Sequence, residues 1–462
     1  MDCSLMGVGE LAQNIGARRI ANSTDRDFYS VAIDSRKVEE GCLFFALKGQ
    51  ACDGHSFVKD AFEKGARACV VDSSKLKTFN LEDIAQKAGR DIIVVDDTLK
   101  GLQDSARVYL KKFPNLLKIG ITGSSGKTTT KEIAASIISC EKNTVMNKGN
   151  LNSETGLPLS VFEVRSNHEA GVFELGMNRP GEISEIAFVL KPNIAAVTNI
   201  GTAHIEYFGS KDKILNEKKN IFNFLKNNDT AIIPADDEYA SHLAKGVNAK
   251  ICYYGENSFN ELESTRSLGL EGTEITWAGE KIRFALPGKH NLHDAMAAIA
   301  IAKEVPVSNS AIKKGLESVK PLFGRLEILK GRTTVIRDCY NANLESMIKS
   351  IEFCDSVDWK NRKIYIIGDM LELGDFSISA HEEAADILVK SNADKIFLFG
   401  NEVKVIANKL AKYGKSFFYA DDMEQLSGAV ESCLQDNDFV LLKGSRGCAL
   451  ERLTDILLGG DK

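Results

Sequence analysis

The sequence predicts an α/β protein in three domains: a central parallel-sheet domain, a smaller α/β domain before it and a C-terminal Rossmann-like α/β domain after it. Three observations predict this. At 462 residues the chain exceeds one ordinary domain and suggests about three. Short apolar runs alternate with helix-forming stretches, the pattern of strands joined by crossover helices. Polar residues cluster just after those runs, and in such folds ligands bind at the carboxyl edge of the strands.

Composition narrows the class. Apolar residues make up 44% of the chain and charged residues 26%, so each domain can bury a core. The formal net charge is −6 with Lys and Arg scattered, which argues against a nucleic-acid surface and toward small-molecule ligands. Ten cysteines include no C-x-x-C pair and no His at zinc spacing, so they read as small buried residues in a reducing compartment. Residues 1–16 lack a basic segment and contain Glu10, unlike a secretory signal, and no apolar run reaches the roughly 20 residues that span a bilayer. The expectation is a cytoplasmic protein, not embedded in a membrane.

In the first domain, residues 1–112, strands are expected at 29–33, 42–46, 68–71 and 91–95, with a helix over 57–64. Asp34-Ser35-Arg36 and Lys48-Gly49, with Asp53-Gly54-His55, interrupt this pattern. They read as turn chemistry, or as an anion site in which Arg36 and Lys48 face phosphate and Ser35 donates a hydrogen bond. A helix over 102–112 and a hinge at Pro114-Asn115 lead into the second domain, residues 113–320.

That domain opens with a strand over 116–121 and the stretch T-G-S-S-G-K-T-T-T. Gly123, Ser124, Ser125 and Gly126 form a turn whose backbone N–H groups can face an anion, while the following helix offers its N-terminal dipole. Lys127 then reaches the outer phosphates, Thr128 offers a hydroxyl to magnesium, and Thr129 continues the loop into the helix. The spacing is the shorter G-x-x-G-K-T-T form rather than the full P-loop pattern. Further strands are expected at 171–175, 194–198 and 230–234, with helices after Gly181 and from Lys211. Glu174 ends one strand, where a carboxylate is costly unless it is ligated or paired, so it reads as a magnesium ligand. His204 follows the next strand; alone, it is more simply a structural hydrogen-bonder. Lys211, Lys213 and Lys219 read as the solvated face of a helix. Asn150 and Asn152 sit in an amide-rich loop suited to a ligand with amide or hydroxyl groups. Residues 286–300 form a turn and an Ala-rich helix that is mostly scaffold, with Asn291 placed to read a base edge.

The third domain, residues 321–462, carries strands at 334–336, 363–367, 395–399 and 439–442 and a helix from about Ser379. Its polar residues again follow strands, notably over 338–343 and 443–446.

Together these stretches resemble the ATP-dependent muramyl ligases of bacterial cell-wall synthesis, over nearly the whole chain. T-G-S-S-G-K-T-T, T-N-I-G-x-x-H, G-K-H-N and D-x-Y-N-A-N are landmarks shared across that family. D-S-R, F-F-A-L-K-G, G-N-L-N, E-L-G-M-N-R-P-G-E-I, H-I-E-Y-F-G-S, G-D-M-L-E-L-G and L-K-G-S-R resemble its D-alanyl-D-alanine-adding branch. The resemblance implies transfer of the ATP γ-phosphate to the peptide carboxylate of UDP-N-acetylmuramoyl-tripeptide. The amine of D-Ala-D-Ala then attacks the acyl phosphate, in a monomeric enzyme. It implies ATP with two magnesium ions, and Thr128, Glu174 and His204 as metal ligands. A carbamylated lysine completes that set, and the spacing puts it on Lys218, next to Lys219. Lys127, Lys218 and His204 become the catalytic set. Asn291, Arg325 and Asp338 are implied for the nucleotide, Ser35, Arg36 and Lys48 for the uridine diphosphate end, and Asn150, Asn152 and Thr155 for the peptide. Tyr340, Asn341 and Asn343 are implied near the substrates. The chain departs from the family at Ser153 and Asp294, where Asn is usual, and at Leu344, where Pro is frequent. Two other readings stay open: a different amide ligase of the family or a folylpolyglutamate synthetase, and a P-loop nucleotide switch.

Overall fold

The computed structural model describes residues 4–50 and 52–460. Its centre is a six-stranded parallel sheet in the order Lys250–Tyr254, Thr230–Pro234, Ile194–Val197, Leu117–Thr122, Ala170–Glu174 and Thr144–Met146. The inner strands are near-continuous apolar runs because helices cover both faces, leaving no side for water. One face is packed by the helices Lys127–Ile138, Lys289–Glu304 and Asn309–Ser318. Alanines at 295, 297, 298, 300 and 302 are all buried and let these helices approach closely.

The N-terminal sheet has the order Arg18–Ile20, Asp91–Val95, Ala68–Asp72, Cys42–Phe45 and Ser30–Ala32, parallel except for the first pair. The C-terminal sheet runs Glu327–Lys330, Thr334–Asp338, Phe439–Lys443, Lys363–Gly368, Lys395–Phe399 and Phe417–Ala420, with only the first pair antiparallel. Three α/β units therefore follow one another along the chain, as the alternating pattern predicts.

Several elements depart from expectation, two of them with a readable cause. The helix expected over 102–112 is Thr98–Leu110, because Asp97 caps it by accepting from the Lys100 N–H at 2.9 Å. Residues 262–284 form an unanticipated antiparallel sheet of Leu262–Ser267, Thr273–Trp277 and Glu280–Phe284. Only alternate residues of its last two strands are buried, so the apolar signal is diluted by solvent-facing Glu, Lys and Arg. Its inner face, with Ile275, Trp277, Ile282 and Phe284, extends the core over the Ala-rich helix.

The C-terminal unit touches the central one at several points, among them these two. Glu345, in the first turn of the helix Leu344–Ser356, accepts from the Thr202 N–H at 3.0 Å and its hydroxyl at 2.8 Å. His204 Nδ1 lies 2.8 Å from Glu372 Oε2, without hydrogen-bond alignment.

Candidate functional site

The carboxyl ends of the central strands face a cleft of about 370 Å³ whose opposite wall comes from the C-terminal unit. The turn after Leu117–Thr122 forms its floor. Gly123 has φ +155°, and a Cβ there would fall 1.8 Å from Thr198 Oγ1; Gly126 has φ +77°. The loop is held from beneath, as Asn199 accepts from the Ser125 N–H at 3.1 Å and donates to its hydroxyl at 3.0 Å. Ser124 exchanges hydrogen bonds with the Gly201 backbone. These partners fix the loop while the first N–H groups of the helix Lys127–Ile138 have no helical acceptors, the arrangement that receives an anion.

Lys127 Nζ folds back to the Gly123 carbonyl at 2.9 Å, and burial lowers its pKa. Lys218 Nζ reaches the same carbonyl at 2.8 Å from the helix Lys211–Lys219 and is 1% exposed. Desolvation, followed by the neighbouring Lys127 charge, pushes its pKa well down. Lys219 points elsewhere and donates to the His242 carbonyl at 2.6 Å.

Glu174, 2% exposed, accepts from the Thr128 hydroxyl at 2.7 Å and from Asn152 Nδ2 at 2.6 Å. Asn147 holds its backbone, accepting from the Glu174 N–H at 2.9 Å. A hydroxyl and a carboxylate in contact beside a phosphate loop are hard oxygen donors of the kind magnesium takes, with substrate phosphates filling other positions. That donor set fits the ion. No group of three or more His, Cys, Asp or Glu among the described residues is gathered as a ready-made metal site. His204 lines the same cleft from a left-handed backbone, φ +63°.

From the opposite wall, the Arg325 guanidinium stacks 4.3 Å above the Tyr340 ring. Asp338 accepts from Lys443 Nζ at 2.8 Å, from the Ser350 hydroxyl at 2.5 Å and from the Leu326 N–H at 3.1 Å. Burial would raise its pKa, but these partners, Lys443 foremost, hold it below the ordinary carboxylate value. Asn341 and Asn343 line the cleft; the Asn343 side-chain amide oxygen caps the helix behind it by accepting from the Ser346 N–H. Asn291 and Asn150 also line it, Asn291 with one amide N–H given to the Pro287 carbonyl at 2.7 Å.

Ser35, Arg36, Lys48 and Thr155 lie outside this cleft. Arg36 is paired with Asp34, its Nη2 2.8 Å from Oδ2, on the exposed edge of the N-terminal sheet, and Lys48 is exposed nearby. Thr155 stands at the start of the helix Gly156–Val161. Sequence reasoning did not single out Asn199, Glu345, Lys349 or Glu372. Asn199, at the end of a strand, and Glu372, within G-D-M-L-E-L-G, carried a signal; Glu345 and Lys349 stand on a helix face with none.

Residues 27–109 match the Mur ligase family catalytic domain, 121–302 the Mur ligase middle domain and 324–446 the Mur ligase glutamate ligase domain. The chain is 39% identical over 457 residues to the UDP-N-acetylmuramoyl-tripeptide–D-alanyl-D-alanine ligase of Treponema pallidum, covering 98% of this chain and 99% of that one. A crystal structure of MurF from Acinetobacter baumannii superposes with TM-score 0.86 at 28% identity, over 98% of both chains. MurF ligase from Thermotoga maritima in complex with ADP superposes with TM-score 0.77 at 27% identity, over 93% of this chain and 97% of that one.

Proposed function

The chain belongs to the Mur ligase family, and we propose that it joins D-alanyl-D-alanine to the peptide carboxylate of UDP-N-acetylmuramoyl-tripeptide at the expense of ATP. The observation that carries this reading is the two-walled cleft, with the phosphate loop and Glu174 on one side and Arg325, Tyr340 and Asp338 on the other.

In this reading the substrate carboxylate oxygen attacks the γ-phosphorus, ADP leaves, and an acyl phosphate forms. The D-Ala-D-Ala amine attacks its carbonyl carbon, and the tetrahedral intermediate collapses with loss of phosphate and a proton. Charge neutralisation and positioning carry most of such chemistry. The loop N–H groups and Lys127 hold the phosphates. Thr128, Glu174 and His204 would hold magnesium, which would supply further charge neutralisation. Asn291 contacts the base, and Arg325 and Asp338 close over the nucleotide. Asn150, Asn152 and Thr155 serve the peptide, with Tyr340, Asn341 and Asn343 at the opposite wall, while Ser35, Arg36 and Lys48 take the uridine diphosphate end. A wall supplied by a separate domain also excludes water, which would hydrolyse the acyl phosphate.

Lys218 is the residue for the carbamate. Burial beside a second ammonium favours its neutral amine, the form that adds to carbon dioxide with loss of a proton. The product is an anion, which relieves the repulsion from Lys127 and adds a hard oxygen ligand beside the phosphate loop. The reading is of a monomeric enzyme in the bacterial cytoplasm, where its nucleotide substrates are made.

The test is phosphate release with ATP, magnesium and UDP-N-acetylmuramoyl-tripeptide, comparing D-Ala-D-Ala with L-Ala, D-Glu and L-Glu. Release confined to D-Ala-D-Ala supports the proposal. Release with another amine moves the substrate within the family, and none from folded, nucleotide-binding protein turns the reading to a nucleotide switch.

A further inference from the structure

Asp294 lies on the second turn of the helix Lys289–Glu304 and lines the cleft beside Asn291, yet is only 5% exposed. Its carboxyl has no hydrogen-bond partner among the described residues. It packs against the phosphate loop so closely that a Cβ on Gly126 would fall 2.1 Å from Oδ1. A buried carboxylate without donors is costly, and the ordinary remedy is to keep the proton.

The groups facing it give no full compensation. On its own helix, the His290 pKa is lowered to about 4 by burial, so that ring is neutral at working pH, and His293 Nε2 is 3.1 Å from Asp236 Oδ1. From the sheet, the buried Tyr254 phenol stays un-ionised and gives its hydrogen bond to the Thr198 carbonyl. From the loop, Lys127 turns to Gly123. From the opposite wall come Lys349 and Arg325, whose charges favour the carboxylate, while Asp338 is neutralised by Lys443. Desolvation outweighs them and pushes the Asp294 pKa up to about 8.

We propose that Asp294 contacts the nucleotide base as an un-ionised carboxylic acid, donating through its O–H and accepting through its C=O. That donor and acceptor pair is the one an amide offers, and it matches the adenine edge, where N7 accepts and the N6 amino group donates. Asn291 has spent one amide N–H on Pro287, which leaves part of the base edge to a second group. Ionised, Asp294 loses its donor and sets a negative charge beside the phosphate loop. Nucleotide affinity therefore falls as the group loses its proton. The inference rests on the nucleotide reading of this cleft.

The test is ADP binding by calorimetry at fixed magnesium from about pH 7.5, where the terminal phosphate is already ionised, up to pH 9.5. The wild-type Kd is expected to rise by about tenfold per pH unit once Asp294 ionises, as for any single linked proton. Asp294→Asn, which cannot ionise, is expected to flatten that profile. A flat wild-type profile overturns the proposal, and it does so without needing any variant. A slope that persists unchanged in Asp294→Asn also overturns it, and moves the titration to another group of the site. Folded wild-type protein that binds no ADP at any pH overturns the nucleotide reading and this inference together.

Discussion

Lys127 and Lys218 donate to one carbonyl oxygen, that of Gly123, at 2.9 and 2.8 Å, although they stand on different helices. Two ammonium groups on one acceptor repel each other, and the more deeply buried Lys218 yields. Folded protein in 13C-bicarbonate should therefore show a carbamate signal that Lys218→Ala abolishes and Lys219→Ala retains. Lys218→Ala should lower kcat by roughly 10²–10³-fold, the scale of losing one charge-stabilising group. A signal that disappears instead with Lys219→Ala would reverse the assignment.

Gly315 has a stability role separate from the cleft. A Cβ there would fall 2.3 Å from Ile137 Cα, where the helix Asn309–Ser318 crosses Lys127–Ile138. The obstacle is backbone and cannot swing aside. Gly315→Ala should destabilise the protein by about 1–3 kcal/mol in denaturant unfolding. An unchanged midpoint would mean that the two helices part freely.

The Lys443 and Asp338 pair is buried, with side chains 2% and 15% exposed. Lys443→Met leaves the Asp338 carboxylate without its cation, at a cost of about 3–5 kcal/mol. Because the folded pKa of Asp338 is lowered, its stabilisation is present above the ordinary carboxylate value and is lost as pH falls through the lowered one. The penalty of Lys443→Met should thus be largest near neutrality and shrink below about pH 4 in urea titrations. A penalty independent of pH would point to lost packing rather than lost charge.

Glu345 links the two walls of the cleft through the Thr202 N–H and hydroxyl, with Lys211 Nζ 3.7 Å away. These groups are partly exposed, so Glu345→Ala should change global stability by less than about 1 kcal/mol. Its effect should fall on closure: a larger radius of gyration in small-angle scattering and a several-fold higher KM for ATP. Unaltered scattering and KM would remove Glu345 as a latch.

Local chemistry made much of the molecule legible. The strands Asp91–Val95, Thr230–Pro234 and Lys395–Phe399 have the bounds that their apolar runs predict. The phosphate loop, and Glu174 at the end of its strand, follow from glycine geometry and the cost of a buried carboxylate. The antiparallel strands over 262–284 were less legible because their buried residues alternate with charged ones.

The sequence by itself determined the alternating α/β order, the loop that can cradle phosphate and the polar residues gathered after strands, because each depends on neighbours within a few positions. Only the tertiary structure decided which lysine faces the loop, since Lys218 and Lys219 are adjacent and point about 100° apart around the helix axis. It alone buried Asp294 against Gly126 and set Glu345 on Thr202, 143 residues away. Burial and charge proximity are properties of surfaces brought together by folding, and spacing along the chain does not encode them.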